Sequence, residues 1–185
     1  HASTVIQLTT GTFLAAWFGG SKEGNADVGI WGADCRQGQW STPRLLAKMR
    51  EHPHWNPVLH VDESDRVYLF FKVGMTIPKW ETWLIESTDG GQDWSKPREL
   101  VTGDRGGRGP VKNKLIFLDN GAWLAGASLE LGEWDVFVDR SEDRGKTWTA
   151  SALIARDRSV FSGPGAIQPT LWESTPGQVH MLVRT

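Results

Sequence analysis

A chain of 185 residues, 39% hydrophobic and 23% charged, is long and apolar enough to bury a sizeable core. Its net charge of −2 gives no electrostatic basis for a nucleic-acid or membrane partner, and no apolar run approaches the roughly 18 residues of a membrane-spanning helix. Cys35 is the single cysteine, which excludes a disulfide framework within the chain.

In chain order the apolar runs are short and evenly placed. Runs at 5–8 and 13–17 flank Gly11, and a third covers 28–31. A fourth, 44–46, follows Trp40. The pattern then starts again: runs at 58–61 and 67–71 flank Glu63-Ser64-Asp65, and 83–86 leads into Trp94. It recurs with 115–118 and 123–127 around Asn120-Gly121, then 136–138 leading into Trp148. Runs at 170–172 and 179–183 around Pro176-Gly177 begin a further copy. No stretch has helical periodicity, and runs of this length between turn residues read as strands. Eleven Trp and 21 Gly suit such a chain of short strands and tight turns.

The period is 54 residues, set by Trp40, Trp94 and Trp148. Ser87-Thr88-Asp89-Gly90-Gly91-Gln92-Asp93-Trp94 and Ser141-Glu142-Asp143-Arg144-Gly145-Lys146-Thr147-Trp148 both fit S-x-D-x-G-x-x-W, the Asp-box. Residues 33–39 are a decayed copy. The Asp side chain accepts bonds from turn N–H groups, Gly takes a backbone conformation that Cβ-bearing residues avoid, and Trp is expected to pack under the sheet. Four antiparallel strands at this period describe a propeller blade. The expectation is an all-β, β-propeller chain with four-stranded blades at 1–50, 51–104 and 105–160, and a fourth starting at 161 and reaching its second strand. The abrupt opening at His1 reads as a truncation, with about half of a closed ring absent.

We name the strands A to D within each blade. A–B turns and Asp-boxes then share one face, while B–C and D–A loops share the other. The second set is long and varied, at 18–27, 72–82 and 128–135, and at 47–56, 101–113 and 155–168. Variable loops on a rigid scaffold are where binding groups concentrate. They carry Glu23, His52, His54, Asn56, Lys72, Arg105, Arg108, Lys112, Asn113, Lys114, Glu130 and Gln168. An acid recurs 13 residues before each Trp, as Asp27, Glu81 and Asp135, which favours a structural role for it. Glu23 has no such counterpart and is the stronger functional candidate. His52 and His54 lack an evident third ligand, so no metal is expected. Residues 105–114 are basic and Gly-containing but match no phosphate loop, and a flexible loop facing an anionic ligand fits them better. Tyr68, the only tyrosine, falls in an apolar strand and reads as core.

With the boxes in place, His1-Ala2-Ser3-Thr4-Val5, residues 14–20, Trp55-Asn56-Pro57-Val58-Leu59, Pro110-Val111-Lys112-Asn113-Lys114 and Ile167-Gln168-Pro169-Thr170-Leu171 together resemble the sialidase-like BNR-repeat group. The resemblance covers the whole chain. It implies a six-bladed propeller in the intact protein, so that about three and a half blades are present here. It also implies an exo-acting glycosidase on sialic-acid-type glycans, with three arginines on the sugar carboxylate, an aspartate acid/base, and a tyrosine nucleophile paired with a glutamate. His1-Ala2-Ser3 stands where the group has its first arginine. Gln168 stands at the glutamate, and an amide cannot act as a base. Arg184 matches the second arginine, and the third arginine and the tyrosine would lie beyond residue 185. The candidate acid/base groups are therefore Glu23, Asp27 and His1. Asn56, Lys72, Lys112, Asn113, Lys114, Gln168 and Arg184 are candidate substrate contacts. The expected partner is an anionic carbohydrate, with no cofactor, nucleic acid or membrane, in a secreted or periplasmic setting. Two alternatives stay open: a uronate lyase with His1 as base, and a non-catalytic glycan-binding propeller.

Overall fold

The computed structural model describes residues 1–157, 159–160 and 163–185. Four antiparallel sheets follow one another along the chain. The first contains β1 (Thr4–Gln7), β2 (Phe13–Gly19), β3 (Gly29–Arg36), and a split outer strand, β4 (Gln39–Trp40) and β5 (Arg44–Ala47). The second is β6 (His54–Val61), β7 (Val67–Val73), β8 (Glu81–Ser87) and β9 (Arg98–Glu99). The third is β10 (Ile116–Phe117), β11 (Trp123–Leu131), β12 (Glu133–Ser141) and β13 (Thr149–Ala150). The fourth holds β14 (Ile167–Thr175) and β15 (Gln178–Arg184). The consecutive A-B-C-D order in the first three sheets is that of a propeller blade, and the fourth sheet holds A and B. The expected boundary at 160/161 adjoins Phe161 and Ser162, which lie outside the described residues.

Strand alternation decides how the blades stack. Leu69 and Phe71 of β7 pack toward blade one with Ile6, Leu14, Phe18 and Ile30. Tyr68 and Phe70 pack toward blade three with Leu115, Trp123 and Trp148. Every residue of β7 is buried, whereas β2 is buried only at alternate positions. A strand covered on both faces reads as a continuous apolar run, and one with a bare face alternates. A smaller cluster of Leu118, Leu124 and Leu171 joins blades three and four.

Both Asp-boxes fold alike. Gly91 N–H donates to Ser87 Oγ at 2.8 Å, and the Gln92 and Asp93 N–H groups donate to Asp89 at 3.0 and 3.1 Å. Gly145 donates to Ser141 at 2.8 Å, and Lys146 and Thr147 to Asp143 at 3.0 and 2.8 Å. These N–H groups, with the Thr147 hydroxyl, hold the Asp143 carboxyl down at about 2. The decayed box closes differently. Gln37 (φ 50°) and Gly38 (φ 80°) are both left-handed between paired Arg36 and Gln39, the backbone of a tight two-residue hairpin. Trp40 was expected under the sheet with its counterparts, yet it is 56% exposed while Trp148 is buried.

A guanidinium joins each box to the blade before it. Arg44 donates to the Gly91 carbonyl, and Arg98 to the Gly145 carbonyl at 3.1 Å. Each is braced by an acid of its own sheet, Asp34 for Arg44 and Glu86 for Arg98.

Two loops differ from expectation. Residues 128–135 were expected as a variable loop, but β11 and β12 extend through them as a hairpin turning at Gly132 (φ 71°). Residues 72–73 complete β7, leaving a shorter loop with a 3₁₀ turn at Ile77–Lys79.

Candidate functional site

One backbone feature recurs at the entrance to strand A of each blade. Ala2, Asn56, Lys112 and Gln168 are all left-handed, at φ 48°, 41°, 68° and 54°. Asn tolerates this region, but Lys and Gln are held there against their steric preference. Bulges at Trp55/Val58 and Ile167/Thr170 accommodate two of these turns. Strain of this kind persists only where the surrounding structure over-determines the backbone. Its sequence signal is faint, because no residue type repeats among the four.

Four of the expected contacts meet between blades three and four. Lys112, Asn113, Gln168 and Arg184 line a cavity of about 260 Å³. Asn113 Nδ2 donates to the Gln168 carbonyl at 2.7 Å and fixes the two strand entrances to each other. Among the described residues, neither Lys112 nor Arg184 makes a side-chain hydrogen bond or ion pair, so two cations face this cavity with donors to spare. Glu130 lies within electrostatic reach of Arg184 and Lys72; burial raises its carboxyl, and the two cations oppose that rise. It was one of many polar loop residues in the sequence, and only the β11–β12 hairpin sets it apart.

Lys114 crosses to the first two blades. Its Nζ donates to the Leu59 carbonyl at 2.9 Å and to Thr4 Oγ1 at 3.3 Å. The residue is exposed by area, yet crowding around the ammonium brings its pKa down to about 8.

Lys72 corrects an expectation. It was anticipated on a loop as a substrate contact, but it lies in β7 and is fully buried. Its Nζ donates to Thr82 Oγ1 at 2.7 Å and to the carbonyls of Gly107 and Arg108 at 3.1 and 2.8 Å. An ammonium has three donors, and all are used inside the protein. Burial lowers its pKa to about 7.

In blade one, His1 Nδ1 lies 3.4 Å from Glu23 Oε2, and the imidazole stands edge-on to Phe18. Both side chains are solvent-accessible. Asp27 is differently placed. It accepts from Ser21 N–H and Oγ at 2.7 and 2.9 Å, closing its own loop, and these bonds lower its pKa. A carboxylate stabilised in this way suits the structural reading better than the role of a general acid. Asn56 lies in the bulged entrance of β6, and among the described residues its side chain makes no hydrogen bond.

The histidine pair is structural. His54 is fully buried, accepting from Met49 N–H at 3.0 Å through Nε2 while Nδ1 faces the His52 carbonyl at 2.9 Å. Burial lowers it to about 4. Tyr68 is core, as expected: it is 5% exposed, and its hydroxyl donates to Asp62 at 2.9 Å. Among the described residues no group of three His, Cys, Asp or Glu is placed to hold a metal, and no helix is long and apolar enough to cross a membrane.

Residues 11–185 match the family described as BNR repeat-like domain. The chain belongs to that family. No curated protein sequence matches it. Among solved structures, it is similar to a Dyadobacter fermentans protein of unknown function (TM-score 0.78, 15% identity, 98% of this chain and 61% of that one). It is also similar to Trypanosoma rangeli sialidase in complex with the inhibitor DANA (0.72, 15%, 100% and 34%). A third likeness is to the intramolecular trans-sialidase from Ruminococcus gnavus in complex with oseltamivir carboxylate (0.75, 13%, 99% and 65%). The BNR repeat-like chain thus has the sialidase β-propeller fold and spans one to two thirds of the length of these structures.

Proposed function

We propose that the whole protein is a sialidase-like, exo-acting glycoside hydrolase on anionic glycans, and that this chain supplies part of its carboxylate-binding site. The observation that carries the reading is the cavity where unpaired Arg184 and Lys112 converge with Asn113 and Gln168. A guanidinium offers a planar pair of donors to a sugar carboxylate, and the ammonium adds a second charge-assisted bond. The two amides suit ring hydroxyls. The likeness in fold to two sialidases supports the substrate class.

Proton transfer falls to blade one in this reading. Gln168 cannot serve as a base, and Asp27 is committed to Ser21. Glu23, accessible and 3.4 Å from His1 Nδ1, is the acid/base candidate. The test is release of sialic acid from a fluorogenic sialoside by the full-length protein. Release that falls at least about a hundredfold in Glu23→Gln supports the assignment. Full activity in that variant removes Glu23 from the reaction.

The His1–Glu23 pair also favours a second reading, β-elimination from a uronate. There His1 takes the proton next to the carboxylate while Arg184 stabilises the developing negative charge. A new near-ultraviolet absorbance from conjugated uronate, with no sialic acid released, selects that reading.

A further inference from the structure

A second cavity lies on the opposite face, between the A–B turns of blades two and three. It measures about 510 Å³, within the ~300–1,000 Å³ typical of small-molecule sites. Its counterpart between blades one and two measures about 360 Å³. The neighbouring seams are tied turn to turn. Thr9 N–H donates to Asp65 at 3.2 Å between blades one and two, and Asp119 N–H to Glu173 at 2.9 Å between blades three and four. Among the described residues no hydrogen bond ties turn 62–66 to turn 118–122, and the seam stands open there.

The lining is specific in chemistry. Phe117 is half-buried and held in place: Trp123 lies 4.7 Å away in a tilted stack, and His60 packs edge-on at 4.3 Å. Asp62 is occupied by Ser64, Arg66 N–H and Tyr68, so it shapes the wall and leaves few acceptors free. Glu63, Asp119 and Arg144 also line the cavity, and among the described residues their side chains are unpaired. The pocket therefore offers an aromatic floor, two free carboxylates and one free guanidinium, with a net negative lining.

We propose that this seam is a second binding site, for a neutral hexopyranose of a glycan, separate from the cationic cavity on the other face. Paired hydroxyls of a pyranose donate to Glu63 and Asp119 and accept from Arg144, while the apolar side of the ring meets Phe117. The negative lining repels uronates and sialic acids, so the two faces take sugars of different charge.

Saturation-transfer NMR and calorimetry on the full-length protein test this with methyl glucoside, galactoside, mannoside and N-acetylglucosaminide against methyl glucuronide. At least one neutral glycoside is expected to bind at millimolar concentration, and about tenfold better than the glucuronide when both are titrated into Arg184→Ala, which removes a cation of the other face. The surface double variant Glu63→Gln/Asp119→Asn, with an unchanged melt, should weaken it about tenfold or more. Arg184→Ala should leave it unaffected. The proposal is overturned if no neutral glycoside binds, if the glucuronide binds the Arg184→Ala variant as well as the neutral glycosides do, or if Arg184→Ala abolishes neutral binding while the double variant does not. None of these outcomes depends on whether the other face hydrolyses sialosides.

Discussion

Lys72 and Lys112 show how one residue type divides between architecture and recognition. Lys72 donates to two main-chain carbonyls in a fully buried setting, whereas Lys112 is exposed and unpaired. Lys72→Met leaves the Gly107 and Arg108 carbonyls without that donor, a loss of about 2 kcal/mol even after relief of the buried charge. Lys112→Met should stay within ~0.5 kcal/mol of the parent in a denaturant titration, and should weaken anionic-sugar binding instead. Buried histidines set the acid limb of stability. Burial lowers His54 and His60 from 6.5 to about 4, with Lys114 adding to the effect on His60. Between those values the unfolded chain binds protons that the folded chain does not, so stability falls as pH drops from 6.5 toward 4. Lys72 acts in the same sense from about 7 to 10.5, where the folded chain has already released its proton and stability rises with pH. His60→Phe should flatten the acid limb in urea titrations at graded pH. An unchanged slope would assign the limb to other groups.

At the scale of elements, the arginine that joins each Asp-box to the preceding blade is the most regular device in the chain. Arg98→Ala removes bonds to Gly145 and Glu86 and should lower stability by ~1 kcal/mol, read as a shifted urea midpoint at constant m-value. The box itself was legible from sequence because its Ser, Asp and Gly each perform a local task, and local tasks leave fixed spacings. The strand entrances were less legible. Ala2, Asn56, Lys112 and Gln168 share a left-handed backbone but no side-chain chemistry, so only coordinates align them. The depth of Lys72 is hidden in the sequence for a related reason: β7 is covered on both faces, and a polar residue at its end reads as the start of a loop. The 128–135 hairpin reads as a loop in the sequence because Glu130, Gly132 and Glu133 interrupt the apolar pattern, while cross-strand pairing continues through the backbone.

For the molecule as a whole, four stacked sheets leave blade two buried on both sides, and carry bare apolar positions on the first and last. Val5, Phe13 and Leu45 are 49%, 40% and 49% exposed in blade one, and Trp172 and Leu182 are 47% and 66% exposed in blade four. The fold was readable because a period of 54 residues leaves few architectures, and the sheet order confirms the choice. The candidate site was readable only in part. Residues 112, 113, 168 and 184 converge, Lys72 turns inward, and Asp27 serves its own loop. The most direct test of the carboxylate site is calorimetric titration of free sialic acid into the full-length protein and its Arg184→Ala variant. The account predicts saturable binding that weakens about tenfold to a hundredfold in the variant. Equal affinity in the two proteins would contradict it.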